Sequence, residues 1–196
     1  MDEFSLNPTI SYSNQFSASQ NYNFNFFNTL FVNIVSLRKK LGDLTDFISH
    51  CNLNPQVIVL NETRLKANEV KLFNIPKFKA FHSTRDKIGG GASIFVKESF
   101  SSVNVVENFS FENSNFLVVH LERFNIFVGT IYKPPDSSLP VFLPKLDYIL
   151  SKYKHLFLLG DFNVNIFNTN DRKVQVYLDT VKTNCFKILN SMESRM

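Results

Sequence analysis

Residues 1 to about 25 are mostly Ser, Asn, Gln, Tyr and Phe in an order with neither the two-residue nor the 3.6-residue hydrophobic period. That composition predicts a disordered or loosely packed leader. The pattern changes at Phe27, where the run to Val35 is β-rich with partial alternation and predicts a strand. Leu37, Leu41, Leu44, Ile48 and Cys51 then recur at helical spacing and predict an amphipathic helix from Leu37 to Asn52. Beyond Pro55, Val57-Ile58-Val59-Leu60 is a short continuous apolar run of the kind a strand shows when both its faces are buried. Further strands are predicted at Ala92 to Lys97, Val103 to Val106, Phe116 to Leu121 and Ile126 to Tyr132, with Gly89-Gly90-Gly91 as the turn before the first of them. Leu143 to Tyr153 predicts a helix with Pro144 in its first turn, where a missing N–H is harmless. His155 to Gly160 predicts another buried strand. A last helix from Val174 to Asn190 would turn Val174, Leu178, Val181, Cys185 and Leu189 inward.

Strand groups separated by helices, with hairpin-like neighbours in the middle, predict an α/β protein of mixed sheets. The 196 residues suit a leader of residues 1–25 and one domain over residues 26–196. Dinucleotide binding is not expected: there is no G-x-G-x-x-G, and the glycine triplet precedes a strand instead of opening a helix.

Composition narrows the class. Hydrophobic residues at 44% and charged residues at 19% exclude a charge-rich disordered chain. The formal charge of +4 tolerates a polyanionic partner without demanding one, and basic residues cluster only at Arg38-Lys39-Lys40 and Arg172-Lys173. Phe at 22 and Asn at 23, with no Trp, are read as the AT-rich codon usage of the source rather than as an aromatic surface. Cys51 and Cys185 lie far apart without metal-site spacing, which predicts reduced thiols, and the four histidines are scattered. The sequence offers no signal-peptide pattern and no membrane span, so an intracellular protein is expected, and the sequons at Asn61 and Asn108 are read as chance matches.

The informative feature is the polar residue set in or just past the apolar strands, because strand ends form the rim where side chains of α/β folds converge on substrate. Four segments carry one: Asn33, Glu62, Tyr132 before Lys133-Pro134-Pro135, and Gly160-Asp161-Phe162-Asn163. In a segment of period two, Asp161 and Asn163 would face the same side. A hard cation such as Mg²⁺ takes oxygen ligands and few carboxylates; Glu62 fits as one, with Asn33 beside it. A separate Asp that orients or deprotonates water fits phosphodiester hydrolysis. Taken singly, each has a plainer reading: a helix-capping turn for Asp161, a surface residue or cap for Glu62, the wet face of a strand for Asn33, a packed aromatic for Tyr132.

In this order the segments resemble the endonuclease/exonuclease/phosphatase family, and within it the apurinic-like endonuclease domain of non-LTR (LINE-type) retrotransposons. The matching stretches are Asn33 to Arg38, Val57 to Leu65, Gly89 to Val96, Tyr132 to Pro135 and Leu158 to Asn163. The resemblance implies a four-layer α/β sandwich, two mixed sheets flanked by helices, and Mg²⁺-dependent nicking of DNA, with Mn²⁺ as a substitute ion. It implies a nuclear monomer without a small-molecule cofactor. On the matching positions Glu62 would bind the metal with the support of Asn33, and Tyr132 would hydrogen-bond the scissile phosphate. Asp161 would orient or deprotonate the water, and Asn163 would stabilise the pentavalent transition state. Arg64, Arg85 and Lys133, near these segments, are candidate contacts to DNA phosphates, with solvated surface charge as the plainer reading.

The chain departs from the family at one place. Relatives close the site with a Ser-Asp-His segment on a late strand, and these 196 residues contain no Asp-His pair. The expectation is a domain lacking its last strands and impaired in catalysis. The rival readings are a non-catalytic nucleic-acid-binding remnant and a phosphatase acting on a small phosphoester.

Overall fold

The structure, a computed structural model, describes residues 27–84 and 89–189. The leader, Arg85 and Asn190 at the expected end of the last helix lie outside these residues. In chain order the elements are β1 (Thr29–Asn33), α1 (Leu37–His50), β2 (Val57–Asn61), β3 (Phe78–Ser83), β4 (Ala92–Lys97), β5 (Val103–Phe111), β6 (Ser114–Leu121), β7 (Ile126–Tyr132), α2 (Leu139–Lys152), β8 (Leu156–Asp161) and α3 (Arg172–Thr183).

Two four-stranded sheets form, in the orders β1-β2-β4-β3 and β5-β6-β7-β8. Each is mixed: β1 with β2 and β7 with β8 run parallel, and the remaining pairs are antiparallel. The apolar runs are continuous because their strands are covered on both faces. Along β2, Ile58 and Leu60 pack with Leu37 and Leu44 of α1, while Val57 and Val59 point the other way, into the layer between the sheets. Along β6, Phe116 and Val118 meet α2 and α3, and Leu117, Val119 and Leu121 fill the same inter-sheet layer. The result is helix, sheet, sheet, helix: the four-layer α/β sandwich.

Several elements differ from expectation. β3 has a single fully buried residue, Ser83, and its sequence Phe-Lys-Ala-Phe-His-Ser lacks a clean period. β5 continues to Phe111 because a bulge between Val105 and Glu107 shifts the register, which breaks the alternation where the sequence signal stops. α2 starts one turn early. Pro140 takes the first-turn place expected for Pro144, which lies inside the helix. β8 is only half-buried beyond Leu156, since it is an edge strand of its sheet. α3 stops at Thr183. Cys185 adopts a left-handed φ of 61°, and the amides of Cys185 and Phe186 bond back to Lys182 and Val181 in a Schellman closure. Cys185 and Leu189 are consequently exposed, and Tyr177 takes an inward place with Val174 and Val181.

The ladders bring the polar strand ends to one rim. Asn33 is level with Asn61, and Asn61 with Ala92; in the other sheet Asn115 is level with Tyr132, and Tyr132 with Asp161. Two buried amides tie the sheets together there. Asn61 Nδ2 donates to the Ile131 carbonyl at 2.8 Å, and its Oδ1 accepts from Thr130 Oγ1 at 2.7 Å. Asn115 Oδ1 accepts from the Gly91 amide at 3.0 Å, and its Nδ2 donates to Ser83 Oγ at 3.2 Å and Ser110 Oγ at 3.0 Å.

β7 and β8 approach so closely at Gly160 that a Cβ there would stand 2.1 Å from the Ile131 carbonyl oxygen, backbone that cannot retreat without breaking the ladder. Gly160→Ala is expected to cost about 3 kcal/mol or more in urea unfolding. Gly42→Ala, in α1 with nothing within 4 Å of its Cβ position, is expected to gain about 0.5–1 kcal/mol.

Candidate active site

Asn33 closes β1, Glu62 follows β2, and Asp161 closes β8, so the site draws on both sheets. Asn33 Nδ2 donates to Glu62 Oε1 at 3.0 Å and to Asp161 Oδ2 at 2.9 Å. The orientation of the amide follows from chemistry, since the reverse would press its oxygen against two carboxylates. Asn33 Oδ1 is therefore turned away from both, buried and without a hydrogen-bond partner. On its other oxygen, Glu62 accepts from Arg64 Nη2 at 3.0 Å.

The backbone holding these groups is unusual. Val35, Glu62, Arg64 and Asn163, each just past a rim strand, have φ between 47° and 55°, a region that costs a non-glycine residue energy and that the surroundings must enforce. Thr63 supplies part of that enforcement. It is buried, its amide reaches the Gly91 carbonyl, and its carbonyl takes the Leu37 amide at the start of α1, while the Arg64 amide bonds Gly90. Gly89, Gly90 and Gly91 all have positive φ, which explains the triplet. At Gly91 a Cβ would lie 2.7 Å from Thr63 Oγ1.

Asp161 and Asn163 are not related by strand alternation as the sequence predicts, because β8 ends at Asp161. They form an Asx-type turn instead: Asp161 Oδ1 accepts the Asn163 amide at 3.1 Å, and Asn163 Nδ2 donates to the Lys133 carbonyl at 2.8 Å. Tyr132 is buried opposite Asp161 in the β7–β8 ladder. Lys133 does not belong to the outer surface. It is 2% exposed, and its ammonium donates to the Pro134 carbonyl at 3.2 Å. Burial pushes its pKa below the usual lysine range against the opposing pull of Asp136 and Asp161. Beside Lys133 and Asn163 lies a cavity of about 290 Å³ bounded by the starts of α2 and α3.

Thus Asn33, Glu62 and Asp161 come into direct contact, Asn163 and Tyr132 flank Asp161, and Arg64 caps Glu62. Arg85 lies outside the described residues. Sequence reasoning passed over Asn61, read only as part of a sequon. A polar residue closing an all-apolar buried strand was the available signal, since a buried amide requires partners.

Among the described residues no group of three or more His, Cys, Asp or Glu side chains gathers as a metal cluster. The donor set is two carboxylates bridged by the Asn33 amide, whose own oxygen is buried without a partner. That set suits a hard cation that keeps much of its water. Two histidines are engaged elsewhere: His82 commits Nδ1 to Ser93 Oγ at 2.7 Å and meets the Phe95 ring in a T-shaped contact, and His120 stacks on Phe127.

Two mixed sheets packed face to face, with a bridged carboxylate pair at one end, define the α/β sandwich. The fold is that of the endonuclease/exonuclease/phosphatase proteins. The endonuclease domain of TRAS1, a telomere-specific non-LTR retrotransposon, superposes with a TM-score of 0.61 at 17% identity, over 84% of this chain and 75% of that one. The 3′ phosphatase NExo from Neisseria, bound to a product DNA hairpin, gives 0.57 at 13% identity over 80% and 69%. An AP endonuclease from Archaeoglobus fulgidus gives 0.56 at 16% over 79% and 68%. No family model matches the sequence, and no curated protein does.

Asn61→Leu keeps the branched shape but strands Thr130 Oγ1 and the Ile131 carbonyl; it is expected to cost about 2–4 kcal/mol by thermal or urea unfolding. Burial also lowers the His82 pKa from 6.5 to about 4. Between those values the unfolded chain takes up a proton that the folded chain refuses. Stability is therefore complete above pH 6.5 and falls, by on the order of 2–3 kcal/mol, as pH drops toward 4. His82→Gln, which keeps a polar contact but does not titrate, should flatten this slope in urea titrations across that window.

Proposed function

We propose that the chain is the phosphodiester-hydrolysing domain of a DNA-nicking endonuclease of the non-LTR retrotransposon type, acting in the nucleus. The observation that carries this reading is the Asn33 amide held between Glu62 and Asp161, which places two carboxylates with different surroundings at one rim. Glu62 would hold a magnesium ion, or manganese in its place, with the Asn33 amide supporting it by orienting the carboxylate. When bound, such an ion neutralises charge developing on the phosphate and the leaving oxygen.

The rest is the work of the chain. Asp161, fixed by the Asn33 side chain and the Asn163 amide, orients a water and takes its proton as the water oxygen bonds to phosphorus. The bond from phosphorus to the 3′ oxygen breaks, and that oxygen takes a proton from solvent, leaving a 3′-hydroxyl and a 5′-phosphate. Asn163 gives one Nδ2 hydrogen to Lys133 and keeps the other for a phosphate oxygen, and Tyr132 serves the same phosphate. The similarity to the retrotransposon endonuclease domain supports DNA as the substrate. These 196 residues supply no Asp-His pair, and turnover by the groups named here alone would be slower by about 10²–10³ than with such a preorganised donor.

The purified chain is expected to nick supercoiled plasmid slowly with Mg²⁺, and to lose this in Glu62→Ala and Asp161→Ala while keeping its circular dichroism. Nicking indifferent to both substitutions would sink the assignment. DNA binding that weakens with salt, unaccompanied by any nicking, would favour a non-catalytic binding domain instead.

A further inference from the structure

Glu62 is occupied on both oxygens: Oε1 by the Asn33 amide and Oε2 by the Arg64 guanidinium at 3.0 Å. The two partners differ in kind. Asn33 is anchored at a strand end and shared with Asp161, whereas Arg64 stands two residues along the same loop with its side chain 43% exposed against 17% for Glu62. The guanidinium therefore covers the solvent side of the carboxylate. Among the described residues the other ion-paired cations, Arg38 and Lys152, hold Glu69 and Glu107, carboxylates with no part in the bridged pair. Left-handed φ at Glu62 and Arg64 and the Arg64 amide bond to Gly90 fix this loop, so the pairing is built into the backbone course.

We propose that Arg64 is a resident counter-ion of Glu62 that a divalent cation displaces, and that the displaced guanidinium then binds a backbone phosphate of DNA. This rests on the reading of Glu62 as a cation ligand given above. Two positive charges compete for one carboxylate oxygen, so Arg64 weakens cation binding in the free protein. Once displaced it is unpaired, exposed and beside the phosphate that the cation attracts, where its planar donors suit a phosphate. Cation and DNA then bind with positive coupling, and by linkage each tightens the other by the same factor. The arrangement keeps the acidic rim neutralised until both ligands are present.

The test uses Ca²⁺, so that binding is read without turnover. Calorimetric titration of the purified chain gives the cation affinity, and fluorescence anisotropy with a short duplex gives the DNA affinity with and without Ca²⁺. Wild type is expected to bind DNA about 5-fold or more tightly when Ca²⁺ is present. Arg64→Gln should raise the cation affinity by about 3- to 10-fold and remove the effect of Ca²⁺ on DNA binding, while Arg64→Lys restores the coupling at least in part. Cation binding that is lost in Glu62→Gln but unchanged or weakened in Arg64→Gln overturns the inference and leaves the site reading standing. A wild-type chain that binds no divalent cation overturns both.

Discussion

The rim depends on the Asn61 side chain. Glu62 hangs from one sheet and Asp161 from the other, and nothing in either ladder sets how the two sheets slide past one another. The inter-sheet layer of Val57, Val59, Ile94, Leu117, Val119 and Val128 is apolar and nearly directionless. Directional contact enters where Asn61 takes both a donor and an acceptor from β7, and Asn115 repeats the device between β6 and the loop leading to β4. Hydrophobic burial drives the sheets together; two buried amides choose the register in which they stop. With that register set, the Asn33 amide reaches both carboxylates.

The same logic explains why strained backbone gathers at this end. Four left-handed non-glycine residues just past rim strands would be costly in open loops. Here the carbonyls and amides of Thr63, Gly90, Gly91 and Leu37 hold the loops, and the stability of the two-sided cores meets the cost.

How legible all this was in the sequence varies by element, for physical reasons. β2, β4, β6 and β7 could be read because strands covered on both faces leave little room for polar residues. β3 could not, with a half-exposed face and no clean period, and the length of β5 was hidden by its bulge. The end of α3 escaped because a cysteine performs the left-handed closure usually given to glycine. At the site, Glu62 and Asp161 were candidates by position at strand ends, yet no local pattern could foretell that one amide joins them. The Glu62–Arg64 pairing was equally hidden, since period and propensity carry no information about which charges meet across a two-residue loop. The interior place of Lys133 contradicts what its charge suggests.

The hydrogen bond from Asn33 to Asp161 spans 128 residues. The β1-α1-β2 unit and the β5-β6-β7 hairpins are local in sequence, but this bond requires that the two sheets have docked. During synthesis, Glu62 emerges long before its distant partner, as an ordinary solvated carboxylate on a half-built protein. The alignment of the rim is thereby tied to the end of folding: a nascent or partly opened chain exposes the acidic groups apart, and they meet only as the sandwich closes.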